Sequence, residues 1–240
     1  MPNIFYNNIN LLLEKSTFTR GTGSIVISEG HNLMKIRDIN ENYHDIVFTD
    51  PKAAKIENNL GSKWVIIIRD CQFLQLTTES DDIIKLTSNP TVYLTSLTFA
   101  SCKVQKHVLY LNSKSTSITH ICCSQLDKKG SSDALFIYSE THENSFLKMV
   151  YSTITGTKEW RENVQRILYL HGTCSIKIQC FNISNFILSN TDNHQIIDFT
   201  SPSCLNMIMN TLQNLDALQI VLLSNQIQNR TFGIYFGMNN

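Results

Sequence analysis

The sequence is short of charge, of glycine and of proline, and it has no long apolar run. Charged residues reach only 17 % of the 240 positions, below the share of about a quarter in an ordinary domain. Lys and Arg number 20, as do Asp and Glu, so no net charge draws the chain to nucleic acid or to an anionic membrane. Glycine occurs 9 times and proline 4 times, which leaves the turns to neutral polar residues. No stretch has the apolar length needed to cross a bilayer, so no transmembrane segment is expected. The opening residues, Met1-Pro2-Asn3-Ile4-Phe5-Tyr6-Asn7-Asn8, lack a basic start and an apolar h-region, so no signal peptide is expected either.

The 7 cysteines are an odd set (Cys71, Cys102, Cys122, Cys123, Cys174, Cys180, Cys204), and no CxxC occurs. That pattern argues against a disulfide framework and for buried, reduced thiols. The sequons Asn182-Ile183-Ser184 and Asn229-Arg230-Thr231 are expected by chance in a chain rich in Asn, Ser and Thr.

What the chain does contain is a repeat. The pattern apolar-x-apolar-x-x-(small or Cys)-x-apolar runs through Leu11, Leu13, Ser16 and Phe18, then Ile66, Ile68, Cys71 and Phe73, then Leu97, Phe99, Cys102 and Val104. It returns at Leu147, Met149, Ser152 and Ile154 and at Leu205, Met207, Asn210 and Leu212, with looser copies starting at Met34, Thr119, Ile176 and Phe232. A second β-branched or aromatic run follows each copy, as in Ser24–Ile27, Asp45–Phe48, Ile83–Leu86, Val108–Leu111, Leu135–Tyr138, Ile167–Leu170, Ile196–Phe199 and Ile220–Leu223. Alternation places the first and third motif positions inside and the residue between them outside. One such unit cannot bury its inner face; stacked units can, and they also pair their backbones.

The expected fold is therefore all-β, a right-handed parallel β-helix of about eight irregular coils with two or three short strands per coil. It fills residues 1–240 as a single solenoid, incomplete or uncapped at both ends, with exposed strand edges. Insertions fall in loops at Thr49–Ser62, Asp127–Ala134 and Thr155–Arg166, the last with a short helix over Lys158–Gln165. Cys71 and Cys102 are expected to stack on successive coils. The alternative is a leucine-rich-repeat-like solenoid, which needs a further Leu three residues before each motif; only Leu94, ahead of Leu97, supplies it.

The stretch Val65-Ile66-Ile67-Ile68-Arg69-Asp70-Cys71-Gln72-Phe73 resembles right-handed parallel β-helix (pectin-lyase-like) proteins. In style it is most similar to the Cys-bearing, Asn-, Ser- and Ile-rich β-helix surface proteins of parasitic protists. The resemblance implies a surface or secreted, adhesive protein, although fold alone does not fix function.

Lyases of this superfamily hold Ca²⁺ on outward carboxylates, but the expected outward motif residues are Leu12, Lys35, Ile67, Thr98, His120, Lys148, Lys177, Asn206 and Gly233. The related hydrolases use Asn-Thr-Asp followed by Asp-Asp, Gly-His-Gly and Arg-x-Lys. Here Asn190-Thr191-Asp192 stands in a polar turn segment, Asp81-Asp82 precedes it, and the later motifs are missing. Cys122 and Cys123 should point to opposite faces of one strand and cannot share a metal. No dinucleotide or phosphate loop occurs.

No catalytic residue, metal site or cofactor is expected. The possible binding surface comprises Lys148 and Lys177 on adjacent coils, suited to an anionic sugar, and Tyr110 and Tyr169 in the second strands. The latter belong to an apolar outward set (Val26, Val47, Tyr110, Ile137, Tyr169, Leu222), unless the strand phase is shifted by one residue, which would turn it inward. The expected function is a non-enzymatic binding or adhesion-type, or structural, surface β-helix protein with a carbohydrate or a host or cell-surface protein as partner. A carbohydrate-active enzyme is the alternative.

Overall fold

In the computed structural model the structure describes residues 4–6, 11–14, 17–19, 26–28, 40–44, 47–49, 56–59, 65–76, 82–87, 90–128, 134–140, 145–156, 166–187, 195–200, 202–216, 219–224 and 229–237, with the strands before Ile67 described by backbone alone. The strands begin with β1 (Ile4–Tyr6), β2 (Leu11–Glu14), β3 (Thr17–Thr19), β4 (Val26–Ser28), β5 (Asn40–His44), β6 (Val47–Thr49), β7 (Ile56–Asn59) and β8 (Val65–Arg69). Next come β9 (Gln72–Leu74), β10 (Ile84–Thr87), β11 (Thr91–Ala100), β12 (Lys103–Val104), β13 (Leu109–Asn112), β14 (Ser115–Ser124), β15 (Asp127–Lys128) and β16 (Ala134–Glu140). The last are β17 (Phe146–Thr155), β18 (Arg166–Gly172), β19 (Ser175–Ile187), β20 (Gln195–Thr200), β21 (Cys204–Asp216), β22 (Gln219–Ser224) and β23 (Asn229–Gly237).

These strands build a parallel β-solenoid. One sheet runs β1-β4-β7-β10-β13-β16-β18-β20-β22, and the other runs β2-β5-β8-β11-β14-β17-β19-β21-β23 with β3, β6 and β9 alongside its early members. Nine strands stand in file in each sheet, so the coil count differs from the expected eight. No helix occurs among the described residues, and two sheets in register replace the helical layer that a leucine-rich repeat would need.

Inside the stack, equivalent residues form columns. Phe73, Phe99, Cys123, Ile154, Ile183 and Leu212 succeed one another in register and are all buried, with the Phe73 and Phe99 rings stacked at 4.7 Å. In the other sheet Ile84, Leu109, Phe136, Leu168 and Ile197 do the same. Burying each such side chain contributes about 1.5–3 kcal/mol.

What lets one long strand line two faces is a corner in left-handed backbone. Asp70, Ser96, His120, Tyr151, Cys180 and Met209 form one column of residues with φ between 51° and 55°. Gln75, Ser101, Gln125, Asn185 and Asn214 belong to a second, with φ between 51° and 59°. None of them is β-branched, in keeping with the cost of about 1–2 kcal/mol per residue that this region imposes on a side chain. Gly156 holds the register position between Gln125 and Asn185 without a positive φ, and close approach excludes a side chain there: a Cβ would lie 2.6 Å from the Asn185 carbonyl oxygen.

The corner also accounts for the small or Cys position of the motif. Backbone pairing lapses there, and the next inward side chain repairs it. Asn210 Oδ1 accepts from the Phe181 N–H at 3.0 Å while its Nδ2 donates to the Ile178 carbonyl at 3.2 Å. Ser152 Oγ accepts from the Ile121 N–H at 3.1 Å and donates to the Val150 carbonyl at 3.0 Å. Cys71 donates to the Arg69 carbonyl at 3.1 Å, and Cys102, at the second corner, donates to the Phe73 carbonyl of the preceding coil at 3.2 Å.

Several expectations are corrected by this register. Gln72 pairs with Thr98, so Leu97 lies beside Cys71; Lys103 pairs with Asp127, so Leu126 lies beside Cys102. The two cysteines occupy different corners and do not stack. The copy begun at Leu97 is accordingly one corner out of phase, which moves Thr98 to the face beyond the first corner and His120 into the corner itself. Val47 falls in the sheet of β9, not among the second strands, and Val26 registers with the inward Ile84 column through Ile56. The expected loop Thr49–Ser62 holds strand β7. The Met34 copy and the helix over 158–165 lie outside the described residues.

Replacing Asn210 with Ala leaves a buried N–H and a buried carbonyl unpaired and is expected to lower stability by about 2–4 kcal/mol. Asn182→Ala, at an exposed position of β19, is expected to change it by less than about 0.5 kcal/mol; urea unfolding of both variants checks the contrast. Burial also pushes the Cys102 thiol from 9.0 up to about 11, partly offset by hydrogen bonds to the Leu76 and Ala100 backbone. Desolvation raises Cys123 well above 9.0 as well, with Cys122 and Cys102 adding to it. Both thiols hold their protons more tightly in the fold than in the unfolded chain. Stability is therefore unaffected below about pH 9 and declines as pH rises from there. Urea midpoints measured on either side of that value should show the decline, and Cys102→Ala should flatten part of it.

Candidate functional site

The sheet that begins with β1 has an unusual strand start. Two buried apolar residues in succession open its strands: Ile83 and Ile84, Val108 and Leu109, Leu135 and Phe136, Ile167 and Leu168, Ile196 and Ile197. The break in strict alternation brings side chains three apart into contact. His107 lies 5.5 Å from Tyr110 between ring centroids, and the Arg166 guanidinium sits 4.8 Å from the centre of the Tyr169 ring.

Lateral register then assembles a strip. Lys85, Tyr110, Ile137, Tyr169 and Asp198 follow one another across neighbouring strands, and Arg166 pairs with Gln195 beside them. Tyr110, Ile137 and Tyr169 are half-buried while their strand neighbours Leu109, Leu111, Phe136, Tyr138, Leu168 and Leu170 are buried. The outward phase expected for these three residues therefore holds. Leu222 registers with Asp198 in the same column.

At one end of the strip Arg166 Nε meets Asp198 Oδ2 at 2.7 Å, and Asp198 is only 3 % exposed. The Asp198 carboxylate thus has a cation on one oxygen, and that cation also lies over an aromatic face. Its Oδ1, together with Gln195 Oε1 and His171 Nδ1, is buried without a hydrogen-bond partner. At the other end Asp82 Oδ1 accepts from the His107 backbone N–H at 3.2 Å and touches its Nδ1 at 2.6 Å, both residues being buried.

Lys148 and Lys177 are direct lateral partners, both exposed, on the sheet that carries β17 and β19. Tyr110 and Tyr169 belong to the other sheet, so the four expected surface residues form two pairs that do not meet. Cys122 is exposed and Cys123 buried, as opposite faces of one strand require. Asn190-Thr191-Asp192 lies outside the described residues. Among the described residues no group of three or more His, Cys, Asp and Glu side chains is gathered as a metal site would need, and no helix is long and apolar enough to cross a membrane.

Sequence reasoning missed Arg166, Gln195 and Asp198. The sequence pattern sets Arg166 at the end of a loop and Asp198 in an ordinary strand. The available signal was a carboxylate set between Ile197 and Phe199, at an outward position beside a Tyr one coil earlier. No protein-family model matches the chain, and neither a curated protein nor a solved structure matches it.

Removing Arg166 alone strands a buried carboxylate, so Arg166→Met is expected to cost about 3 kcal/mol. The double replacement Arg166→Met with Asp198→Leu is expected to recover most of that loss. Thermal and urea unfolding of the two single variants and the double variant measure the coupling.

Proposed function

We propose that this solenoid is a non-enzymatic binding protein that engages saccharide on a cell or matrix surface through the outward strip Tyr110–Ile137–Tyr169 and its polar end at Arg166, Gln195 and Asp198. One observation carries the reading: an outward, half-buried aromatic column ends in a polar cluster in which Asp198 Oδ1 and Gln195 Oε1 are buried without a hydrogen-bond partner, in a fold that elsewhere recruits side chains such as Asn210 to repair its backbone. Native proteins rarely leave such groups unsatisfied without another use for them. Tyr110 and Tyr169 stand two coils apart, about 10 Å by the strand spacing. Two amphipathic rings at that separation suit an extended chain of sugar rings, whose apolar faces stack on aromatics while their hydroxyls reach polar neighbours. The likeness of Val65–Phe73 to pectin-lyase-like and protist surface β-helix proteins points the same way, towards adhesion at a surface.

A carbohydrate-active enzyme is the competing reading. Binding is favoured because each buried carboxylate of the strip is already engaged, Asp198 by Arg166 and Asp82 by His107. Acid–base cleavage of a glycosidic bond requires two carboxyl groups flanking one bond at a set separation.

Retention on immobilised neutral β-glucan and on polygalacturonate tests the proposal. The chain is expected to be retained on one of them, and Tyr110→Ala and Tyr169→Ala are each expected to weaken retention about tenfold, a loss of about 1.4 kcal/mol. Lys148→Gln with Lys177→Gln, on the other sheet, is expected to leave it unchanged. Release of reducing or unsaturated ends that disappears in Asp198→Ala would overturn the non-enzymatic reading, and retention indifferent to both tyrosines would overturn the site.

A further inference from the structure

The chain as a whole is neutral, with 20 Lys and Arg against 20 Asp and Glu, so a local excess of one sign reflects where register sets the side chains. On the sheet that carries β17 and β19, the outward face before the first corner collects cations. Lys148 and Lys177 are lateral partners on it. At its borders stand Arg69, the last residue of β8, and Lys114, in the turn that leads into β14. All four are exposed, and none forms an ion pair among the described residues. From Ile67 to Ile208 no described outward position of this face carries a carboxylate; Asp70 lies beyond it, on the corner.

Two large rings share the face. Tyr93 stands in file with Ser117, Lys148 and Lys177 across β11, β14, β17 and β19. Tyr93 and Lys148 are two coils apart, about 10 Å by the strand spacing. Phe146 precedes Lys148 by two residues on β17 and therefore points to the same side. Each ring is 42 % exposed.

We propose that this face docks on an anionic phospholipid surface as a peripheral contact. Charge complementarity sets the sign of the occupant. Lysines directly opposite each other repel, and a field of anionic headgroups supplies the counter-charge that the face itself lacks. The rings select a lipid surface over a soluble polyanion. Aromatic side chains settle at headgroup level, where apolar and polar surroundings meet, and Phe146 offers a polyanion no polar group to bond. Cations and rings lie on one sheet face, so a single flat surface meets them together. Basic residues beside aromatic ones are the combination by which peripheral segments hold to anionic bilayers without spanning them. This inference does not depend on the saccharide strip, which belongs to the other sheet.

Co-sedimentation of the 240-residue chain with lipid vesicles tests it. Binding is expected to mixed phosphatidylcholine–phosphatidylserine vesicles and is expected to fall to background on phosphatidylcholine alone. Each cation near such a surface contributes about fivefold, so Lys148→Gln with Lys177→Gln is expected to weaken binding about thirtyfold. Both side chains are exposed, so the fold is kept. Lys103→Gln with Lys106→Gln, which follow the second corner, are expected to leave binding unchanged. Phe146→Trp is expected to shift its emission to the blue on the mixed vesicles and to show no shift with a soluble sulfated polysaccharide. Binding to neither vesicle, equal binding to both, equal loss from the two lysine pairs, or a blue shift with the polysaccharide alone would overturn the proposal.

Discussion

Each residue of the solenoid meets its equivalent one coil away, and this lateral pairing is the constraint on which the other features rest. Among the described residues it sets every strand parallel to its partners, gathers like residues into columns and satisfies the backbone without helices or tight hairpins. It also separates two kinds of position. Those inside a column must match the size of their neighbours, whereas those outside need only tolerate a partner at strand spacing. Lys148 beside Lys177 shows how permissive the outer positions are, since like charges directly opposite are unfavourable and are accepted here on an exposed face.

The corners are where this constraint is hardest to meet. A left-handed residue turns the chain but interrupts the ladder, and the fold restores the lost bonds from inside with Asn210, Ser152 and the cysteines. Cys71 and Cys102 are therefore accounted for by packing and weak hydrogen bonding. On the outer side of the second corner, Ser101 bonds Gln125 at 2.8 Å and Asn214 bonds Asn185 at 3.0 Å. These links run along the stack and tie successive coils at their edges. The Arg166–Asp198 cluster departs from this economy by gathering unpaired buried atoms of Asp198 and Gln195 on one strand, whereas Ser145 Oγ and Asn206 Oδ1 are single instances on other strands or turns.

The solenoid class was legible because period-two alternation and a recurring unit both survive in the sequence. The split of Cys122 from Cys123 follows from alternation alone, whereas the outward phase of Tyr110 and Tyr169 is one of two phases that alternation allows. Alignment of the copies was less legible, for a physical reason. Both corners share one grammar, a left-handed residue followed by an inward side chain, so the motif fits either of them. That ambiguity placed Cys102 on the level of Cys71. The polar cluster was hidden by another local effect: the paired buried residues at the strand start, such as Ile167 and Leu168, set Arg166 and Tyr169 on the same side although they are three apart. A strictly alternating strand would have put them on opposite sides.

Tyr110 and Tyr169 have a long stretch of chain between them, including an interval outside the described strands, yet they stand only two levels apart in the stack. Distance along the axis is counted in coils and is indifferent to how many residues each coil consumes. The protein thus behaves as a ruler whose graduations are set by backbone pairing. Insertions and deletions between the marks would alter the outline of the solenoid while leaving the spacing of the aromatic strip untouched, so the surface can diversify around a fixed scale.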